Sequence, residues 1–415
     1  MGQRLLWQME HYRGANGALN CPVFLRLRGV LDRPALERAL LDLSLRHEAL
    51  RTTFTGSGHR LTQLVHEWPR ALTVAEADLS GAADPEAAAT AAMLDESRRR
   101  VDPEDWPVRA ALWRLGDAEW VLCLVLHHLV TDGWSCAVVA SDLVRLYARA
   151  AGAGGDLRPV GWQYAAWVEW QQGLLQGEGL RRLRDYWRRQ LEGAELPDLP
   201  RATERAPADR RHTLVEHATI PAATVTALES LARGAGTGLF TVLLAVYYRL
   251  LHRTGGQTDL TVASMFANRS RPELRHTVGF LSNMVLLRTR LDPPAGFAEL
   301  VEAVSRSVLG AFAHQELPYQ LLPLNAFRDS TARPEGVVFQ LFAGPLERST
   351  AARLAVEPII TVPDGIGSRW DFELSLMPCT GGLRVLLCFA DDLYDAGWAR
   401  CFLADYVGLV TEAAS

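Results

Sequence analysis

The stretch from Glu119 to Ala150 constrains the fold of this chain more than any other part of the sequence. It begins with an uninterrupted apolar run, from Val121 to Leu126, which has the length and the β-branched content of a buried strand. It ends with apolar residues at helical spacing, which predicts a helix that begins near Ser135. The sequence therefore predicts a strand, a short polar turn and a helix in direct succession.

The polar turn between these two elements contains His127, His128, Asp132 and Gly133. Because side chains alternate along a strand, we expect the two histidines to point in opposite directions, one toward a cavity and one toward the packed interior. Histidine is the side chain most easily poised as an acid or base near neutral pH. Asp132 could orient an imidazole or brace the loop, and Gly133 would allow a tight turn into the helix. A pair of histidines taken alone more often has a structural role, so the rest of the chain decides between the two interpretations.

Length and charge exclude several classes of protein. At 415 residues the chain is predicted to form two lobes rather than one core. A net charge of −5 argues against a general nucleic-acid-binding protein, which carries a basic surplus. No apolar run approaches the roughly 18 residues that a membrane span needs, and the first residues lack the design of a signal peptide. We therefore expect no nucleic-acid partner, no membrane association and no export.

The six cysteines and the scattered histidines weigh against metal chemistry. No two cysteines form a C-x-x-C pair, and two of the six lie in strand-like apolar runs, so we expect buried reduced thiols and a cytoplasmic location. A metal-dependent hydrolase would need roughly three or four converging ligands, and no second His/Asp cluster completes such a site. A serine hydrolase is not supported either, because the sequence has no G-x-S-x-G motif. The sequence thus predicts no metal site.

The string HHLVTDGWS, residues 127–135, resembles the H-H-x-x-x-D-G signature of the condensation-domain superfamily of nonribosomal peptide synthetases. Residues 46–54, RHEALRTTF, closely match a second motif of that family, R-H-E-x-L-R-T-x-F. Further segments resemble family motifs in the expected order, with departures at Trp162 and Gln163 and around Thr331. They are residues 2–7, 161–167, 278–283, 314–319 and 328–334. The chain is therefore identified as a member of this superfamily from several motifs together rather than from one.

The resemblance implies an α/β fold, with two chloramphenicol-acetyltransferase-like lobes in a V-shaped pseudo-dimer and a tunnel at their junction. We expect an N-terminal lobe over residues 1–175, which carries the H-H-x-x-x-D-G motif, and a C-terminal lobe over residues 176–415. By composition, the polar, proline-rich segment from Pro197 to Arg211 is typical of a lobe connection, and an alternative boundary lies near Gly173.

The function that the resemblance implies is peptide-bond formation, an acyltransferase reaction in which a carrier-bound acceptor amine attacks a carrier-bound donor thioester. The substrates would arrive on the 4'-phosphopantetheine arms of donor and acceptor peptidyl carrier protein domains. Neighbouring synthetase domains, such as adenylation domains, would be further partners. No intrinsic cofactor and no metal is expected for this reaction. Because the chain begins close to a motif, we expect it to be a segment of a longer synthetase.

The resemblance also implies roles for the residues of the first motif. His128 is the candidate to accept a proton from the attacking amine or to hydrogen-bond to it, and the choice between these roles stays open. His127 is expected to be structural, because it points away from the face that His128 occupies. Asp132 is expected to be an ion-paired brace rather than a proton carrier. Its partner is expected to be an arginine of the second motif, either Arg46 or Arg51, since an unpaired buried charge is costly.

Other residues are expected to line the path of the substrates. Gly133 would leave room for a pantetheine arm, and the helix N-terminus near Ser135 would direct backbone N–H groups toward a developing oxyanion. Trp134 is expected either to pack or to contact substrate. Asn283, at the end of the motif at residues 278–283, is a weaker candidate for lining the tunnel.

Alternatives stay open within the family. An ester-forming relative, which uses a hydroxyl nucleophile, is compatible with the same motif. An epimerising relative is disfavoured by the order Trp134-Ser135-Cys136 after the glycine. A catalytically silent domain that recruits partner enzymes is disfavoured because both His128 and Asp132 of the motif are present.

Overall fold

The structure of the chain is a computed structural model. It describes residues 2–12, 17, 19–57, 60–70, 72–202, 212–292, 296–327, 333–342, 349–359 and 370–415. Part of the expected lobe connection, residues 203–211, and part of the motif at 328–334, residues 328–332, lie outside the described residues.

Helices and strands are interspersed along the described chain, with several runs of consecutive strands or consecutive helices. The helices are α1 Gly2–Tyr12, α2 Arg33–Arg46, α3 Pro85–Arg98, α4 Gly133–Ala150, α5 Tyr164–Leu174, α6 Gly177–Leu191, α7 Ala222–Gly234, α8 Leu239–Gly255, α9 Phe297–Phe312 and α10 Ala396–Ala413. The strands of the first half are β1 Asn20–Gly29, β2 Thr52–Ser57, β3 Arg60–Val65, β4 Val74–Asp78, β5 Val108–Gly116 and β6 Glu119–His127. Those of the second half are β7 Thr213–Pro221, β8 Asp259–Phe266, β9 Asn283–Arg290, β10 Val337–Leu341, β11 Ser349–Ala351, β12 Leu354–Ile359, β13 Phe372–Cys379 and β14 Gly382–Ala390.

Contacts between residues divide the chain into two compact units. The first consists of Met1–Gly173, Ala267–Ser282 and Pro345–Pro363, and the second of Leu174–Phe266, Asn283–Gly344 and Asp364–Ser415. The expected lobes, 1–175 and 176–415, differ from this division, because they assign every residue after 175 to the second lobe. Two later segments return to the first unit, where β12 pairs with β1 and the other segment hydrogen-bonds to the turn after β6.

Strand β6, the buried strand predicted from the sequence, lies inside the sheet of the first unit. It pairs antiparallel with β1 on one side and with β5 on the other, in a sheet of order β11-β12-β1-β6-β5-β4. Its leucines pack into a core with α2 and α4 on one face, whereas its valines and Cys123 pack with α3 on the other. Because both faces are covered, the strand is apolar throughout instead of alternating with polar residues.

The second unit contains a mixed sheet of order β7-β14-β13-β10-β8-β9. Strand β10 runs parallel to β8 and β13, and the remaining neighbours pair antiparallel. Helix α8 lies in the core of this unit, with Tyr247 and Tyr248 fully buried. The predicted α/β class is therefore confirmed, since each unit combines a sheet with packed helices.

No single helix in the described part of the chain is long and apolar enough to cross a membrane. Helices α7 and α8, which are bent by 102° relative to each other, meet that criterion only when they are taken together.

A buried charge cluster holds α4, the helix that follows the turn, against α2. Asp142 in α4 accepts hydrogen bonds from Arg46 Nε at 2.8 Å and from His47 Nε2 at 2.9 Å. The His47 side chain is fully buried, and this burial lowers the pKa of its imidazole despite the neighbouring carboxylate. Burial tends to raise the pKa of Asp142, but the hydrogen bonds from His47 and Arg46 outweigh it, so that the carboxyl pKa is lowered. The cluster is therefore an ionised carboxylate between a guanidinium and a neutral imidazole.

We expect His47→Gln to weaken the dependence of folding stability on pH. Folded His47 stays neutral at pH values where an unfolded histidine, with a pKa near 6.5, is already protonated. Unfolding then takes up a proton, so stability falls as the pH drops below about 6.5, by up to roughly 1.4 kcal/mol per pH unit. Glutamine keeps a donor for Asp142 but does not titrate, so this part of the pH dependence should disappear.

The measurement is the free energy of unfolding in urea at several values between about pH 5 and 7. The control is His217→Gln, which makes the same substitution at an exposed position of β7, far in sequence from the buried cluster. A slope in His47→Gln that equals the wild-type slope would contradict the assignment of a neutral His47.

Candidate active site

The turn after β6 is short, and Asp132 closes it. Strand β6 ends at His127, and α4 begins at Gly133, slightly before the helix start predicted near Ser135. Asp132 is the N-cap of α4, because its Oδ1 accepts the Ser135 N–H at 2.8 Å. A side chain of this type satisfies one of the backbone donors that the first turn of a helix leaves free.

Hydrogen bonds to α1 and to the residue before β1 fix the backbone of the turn. The Leu129 carbonyl accepts a hydrogen bond from Gln3 Nε2 at 2.7 Å, and Gln3 Oε1 in turn accepts one from Gln63 Nε2 at 2.7 Å. The His128 N–H donates to the carbonyl of Leu19 at 2.8 Å. The first family motif of the chain, residues 2–7, thus contacts the His-Asp turn directly through Gln3.

His127 points into the protein interior, where it is 1% exposed. Its Nδ1 accepts the Leu129 N–H at 3.1 Å, so a neutral imidazole carries its proton on Nε2. That Nε2 lies 3.8 Å from Glu10 Oε2, which is within ion-pair range but beyond hydrogen-bond length. Burial tends to raise the pKa of Glu10, but His127 and Arg100 outweigh this effect and lower it. These contacts support the structural role expected for His127.

His128 is partly exposed and its ring orientation is defined by two neighbours. Its Nδ1 lies 2.7 Å from the carbonyl oxygen of Thr131. Because a carbonyl only accepts hydrogen bonds, Nδ1 must hold a proton, and in the neutral imidazole Nε2 then carries the lone pair. Phe280 packs edge-on against the ring at 5.1 Å between centroids. Among the described residues Nε2 has no hydrogen-bond partner, so the tautomer is that of a base whose reactive nitrogen is available.

Asp132 is fully buried, and its carboxylate contacts several other groups of the site. Its carboxylate forms a two-pronged ion pair with Arg269, whose Nη1 and Nη2 lie 3.0 Å from Oδ2 and Oδ1. Oδ2 also accepts the backbone N–H groups of Leu281 and Ser282, at 3.0 and 2.9 Å, and the Ser282 hydroxyl at 3.0 Å. Burial tends to raise the pKa of Asp132, but the charge and hydrogen bonds of Arg269 outweigh it, so the pKa is lowered. Asp132 is therefore an ionised brace that binds the segment Ala267–Ser282 to the turn.

Neither arginine that was expected to pair with Asp132 does so, and that prediction is wrong. Arg46 pairs with Asp142, as described above. Arg51 donates from Nη1 to the carbonyl of His66, and its Nη2 lies 3.8 Å from Glu48 Oε1. Both guanidinium groups are thus used by partners near them in the fold, while a later segment of the chain supplies the counter-charge of Asp132.

Ser135 and Gly279 join the helix N-terminus to the same segment. Ser135 Oγ accepts hydrogen bonds from Arg269 Nη2 at 2.7 Å and from the Gly279 N–H at 3.1 Å, and donates to the Gly279 carbonyl at 2.9 Å. A Cβ at Gly279 would lie 2.1 Å from the ring of Tyr164, so only glycine fits there. Tyr164 is held in that position by its hydroxyl, which donates to the Phe280 carbonyl at 3.1 Å. Ser135 therefore has a structural role in these contacts.

The backbone conformation at residue 133 does not require a glycine. Its φ is not positive, and a Cβ added to it would meet none of the described atoms within 4 Å. The expected reason for this glycine, a tight turn into the helix, is therefore wrong. What the structure shows at Gly133 is open space at the N-terminus of α4.

Trp134, the next residue, is 38% exposed and is tied to the same segment. Its Nε1–H donates to the Arg275 carbonyl at 2.9 Å, and the Arg269 guanidinium lies 5.8 Å from the centre of its ring. These contacts give Trp134 a packing role on one side and leave its other side exposed.

Asn283 belongs to the second unit, where all polar atoms of its side chain are engaged. Its Nδ2 donates to the carbonyls of Gln315 and Leu317 at 2.8 and 2.6 Å, and its Oδ1 accepts the Tyr319 N–H at 3.0 Å. The side chain thus fixes the loop after α9, which includes the family motif at 314–319. Its role as a substrate contact stays a prediction.

No sequence pattern pointed to Arg269, which is 2% exposed and essential to the charge balance. It lies in no motif that was singled out, and its contact with Asp132 spans much of the chain. The only indication was physical, because a buried Asp132 demands a cationic partner. No group of three or more metal-ligating side chains comes together among the described residues.

We expect Asp132→Asn to destabilise the protein by about 3–5 kcal/mol, because it leaves Arg269 buried without a counter-charge. The double variant Asp132→Asn with Arg269→Met removes both charges and should recover part of that loss. The free energy of unfolding, measured by denaturant titration, tests both expectations.

The control is Asp42→Asn, which breaks the pair between Arg38 and Asp42 on the exposed face of α2. An exposed pair of this type contributes at most about 1 kcal/mol. A loss in Asp132→Asn that is no larger than the loss in Asp42→Asn would contradict the central position assigned to the buried pair.

Comparison with known proteins agrees with the fold and with the motifs. The family model described as "Condensation domain" matches residues 1–415. A linear gramicidin synthase chain from Brevibacillus parabrevis is 34% identical over 423 residues, which cover 98% of this chain but 5% of that protein. Malpinin synthetase from Mortierella alpina is 35% identical over 420 residues, again 98% of this chain and 5% of the relative. The chain thus spans only a small part of these curated relatives.

Solved structures with the same fold cover almost the whole chain. The X-domain from teicoplanin biosynthesis is 27% identical, with a TM-score of 0.80 over 99% of this chain and 93% of that one. The first condensation domain of the calcium-dependent antibiotic synthetase is 23% identical, with a TM-score of 0.82 over 99% and 95%. The resemblance stated from the motifs is confirmed, and this chain belongs to the condensation domain family of nonribosomal peptide synthetases.

Proposed function

We propose that this condensation domain forms a peptide bond between two substrates that are bound to carrier proteins. The donor is an acyl, aminoacyl or peptidyl thioester, and the acceptor is an aminoacyl thioester with a free amine. Each is held on the 4'-phosphopantetheine arm of a peptidyl carrier protein domain. Family membership and the synthetase relatives support this proposal. Adenylation domains as neighbours, and the cytoplasmic location expected from the cysteine pattern, belong to the same proposal.

The reaction exchanges one bond for another at the donor carbonyl. The acceptor nitrogen attacks the donor carbonyl carbon, a C–N bond forms, and the C–S bond breaks. The donor arm leaves as a thiol, which takes up the proton that the amine loses. Holding two substrates in register makes the step effectively unimolecular, and this can supply a large part of the rate enhancement.

We assign to His128 the role of contacting the attacking amine. The observation that carries the proposal is its tautomer: Nδ1–H is bound to the Thr131 carbonyl, and Nε2 is left with a lone pair and no described partner. This nitrogen can accept a hydrogen bond or a proton from the amine. His127 cannot do the same from its buried position, and Asp132 is committed to Arg269.

The N-terminus of α4 is the candidate for stabilising the oxyanion. The Ser135 N–H already donates to Asp132. The backbone N–H groups of Gly133 and Trp134 are therefore the donors that can hydrogen-bond to a developing oxyanion. The positive end of the helix dipole favours such a charge.

We expect His128→Asn and His128→Gln to lower the transfer rate by about 10²–10⁴-fold, the range for loss of a general base. The asparagine amide can replace Nδ1–H at the Thr131 carbonyl, whereas the glutamine amide reaches the position of Nε2. Neither amide accepts a proton at neutral pH. The readout is intact-protein mass spectrometry of a donor-loaded and an aminoacyl-loaded carrier protein, sampled over time.

The two variants separate the possible roles of His128. Near wild-type transfer in His128→Gln would reduce His128 to a hydrogen-bonding, positioning group. Absence of transfer by the wild type would contradict the proposed function itself. Wild-type protein that transfers nothing but binds a partner enzyme tightly would favour the recruitment function instead.

We also expect Gly133→Leu to slow transfer without a loss of stability. A leucine would fill the open space in front of α4 and obstruct the pantetheine arm, whereas the backbone tolerates a side chain there. The matched control is Gly408→Leu, which adds the same side chain to an exposed helical glycine with open space around it in the second unit. Equal transfer rates in the two variants, measured at equal thermal stability, would show that no substrate passes Gly133.

A further inference from the structure

The loop before α5 contacts the middle of the segment Ala267–Ser282. The Trp162 N–H donates to the Glu273 carbonyl at 3.2 Å, and the Trp162 carbonyl accepts a hydrogen bond from the Thr277 hydroxyl at 2.7 Å. Gly161 permits this approach, because a Cβ there would lie 2.7 Å from the Glu273 carbonyl oxygen. The segment is therefore held at its middle as well as near its ends, where it contacts the site.

Trp162, Trp170 and Arg271 form a cation–π cluster (the Arg271 cluster) beside these hydrogen bonds. The guanidinium carbon of Arg271 lies 5.0 Å from the centre of the Trp162 ring and 5.4 Å from the centre of the Trp170 ring, which belongs to α5. The two indole rings are 6.1 Å apart between centroids. Since a guanidinium is attracted to the face of an indole, one cation joins α5 and its preceding loop to the later segment.

Thr277 connects this loop to the buried ion pair of the site. Its hydroxyl donates to Trp162, and its carbonyl accepts a hydrogen bond from Arg269 Nη2 at 3.3 Å. Residues 267–270 belong to no helix or strand, so they lack the repeated backbone hydrogen bonds that fix such elements. The position of Arg269 therefore depends on individual contacts of the segment, and the Arg271 cluster supplies contacts two residues further along the chain.

Gln163 fixes the same loop from its other side. Its Oε1 accepts the Glu48 N–H at 3.2 Å, and its Nε2 donates to the Arg46 carbonyl at 2.9 Å. These contacts give a role to the two positions at which the motif at 161–167 departs from the family pattern. Gln163 binds the loop to the second motif, and Trp162 binds it to the later segment.

We propose that Arg271 is a positioning residue for the transfer reaction and that Trp162 and Trp170 hold its guanidinium in place. The cluster fixes the middle of the segment Ala267–Ser282, whose ends carry the site contacts described above. Arg271 forms no hydrogen bond or ring contact with His128 among the described residues, so its effect on the reaction passes through the segment. This inference rests on the proposed function, because it concerns the rate of the same transfer.

The variants Arg271→Met and Arg271→Lys test this role in the transfer assay described above. Methionine removes the charge, whereas lysine keeps a cation that the two rings attract. We expect Arg271→Met to lower the rate at saturating carrier concentrations by about tenfold, because alignment is impaired, and to leave the half-saturating concentration unchanged. Arg271→Lys should be several times faster than Arg271→Met. The matched control is Arg70→Met, which removes a guanidinium 5.7 Å from the Trp106 ring, outside the segment, and should transfer at the wild-type rate.

The hold of the cluster on the segment is tested without substrate, by amide hydrogen exchange and mass spectrometry. The peptide of interest contains Leu281 and Ser282, whose N–H groups donate to Asp132. In Arg271→Met and in Trp170→Leu we expect these amides to exchange about tenfold faster, because the hydrogen bonds open more often when the segment is less restrained. Arg70→Met should exchange like the wild type.

Each result decides one step of the proposal. Wild-type exchange of that peptide in Arg271→Met would overturn it, because the cluster would not hold the segment. Faster exchange combined with wild-type transfer, or a changed half-saturating concentration at an unchanged maximal rate, would overturn the positioning role. A wild-type protein without transfer would overturn the proposed function and that role together, whereas the hold on the segment is read from exchange alone.

Discussion

The buried ion pair between Asp132 and Arg269 fixes the positions of the other groups in the candidate site. Two charges removed from water are costly, and their attraction offsets that cost only when the geometry is good and the remaining lone pairs are hydrogen-bonded. Asp132 meets this condition through additional bonds from Ser135, Leu281 and Ser282. The pair is therefore stable only when the turn after β6 and the segment Ala267–Ser282 keep one relative arrangement.

His128 depends on this arrangement although it touches neither charge in the described contacts. The turn supplies the Thr131 carbonyl, which determines the tautomer, and the segment Ala267–Ser282 supplies Phe280, which packs against the ring. The imidazole is thus enclosed by two pieces of chain whose common anchor is Asp132. This explains why the motif contains an aspartate whose carboxylate is unavailable for proton transfer.

Local features of the sequence predicted the local part of the site and little beyond it. The apolar run, the turn and the helix over residues 119–150 fold as expected, because strand and helix preferences depend on neighbouring residues. The approach of Arg269 depends on tertiary folding and has no periodic signal near it. The bonds from Leu281 and Ser282 to Asp132 come largely from backbone N–H groups, which every residue type except proline offers. Such contacts leave no trace in the sequence.

The need of a second buried carboxylate, Asp142 in α4, explains why Arg46 does not pair with Asp132. Asp142 and His47 are buried together, and a move of Arg46 to Asp132 would leave the Asp142 carboxylate without a guanidinium partner, at a cost of several kcal/mol. Each carboxylate therefore needs its own arginine, one from α2 and one from the later segment. Anchors at the N-cap and in the middle of the helix prevent both sliding along its axis and rotation about it. The turn that carries His128 leads directly into this fixed helix, and a reaction that depends on the alignment of two substrates requires such a rigid support.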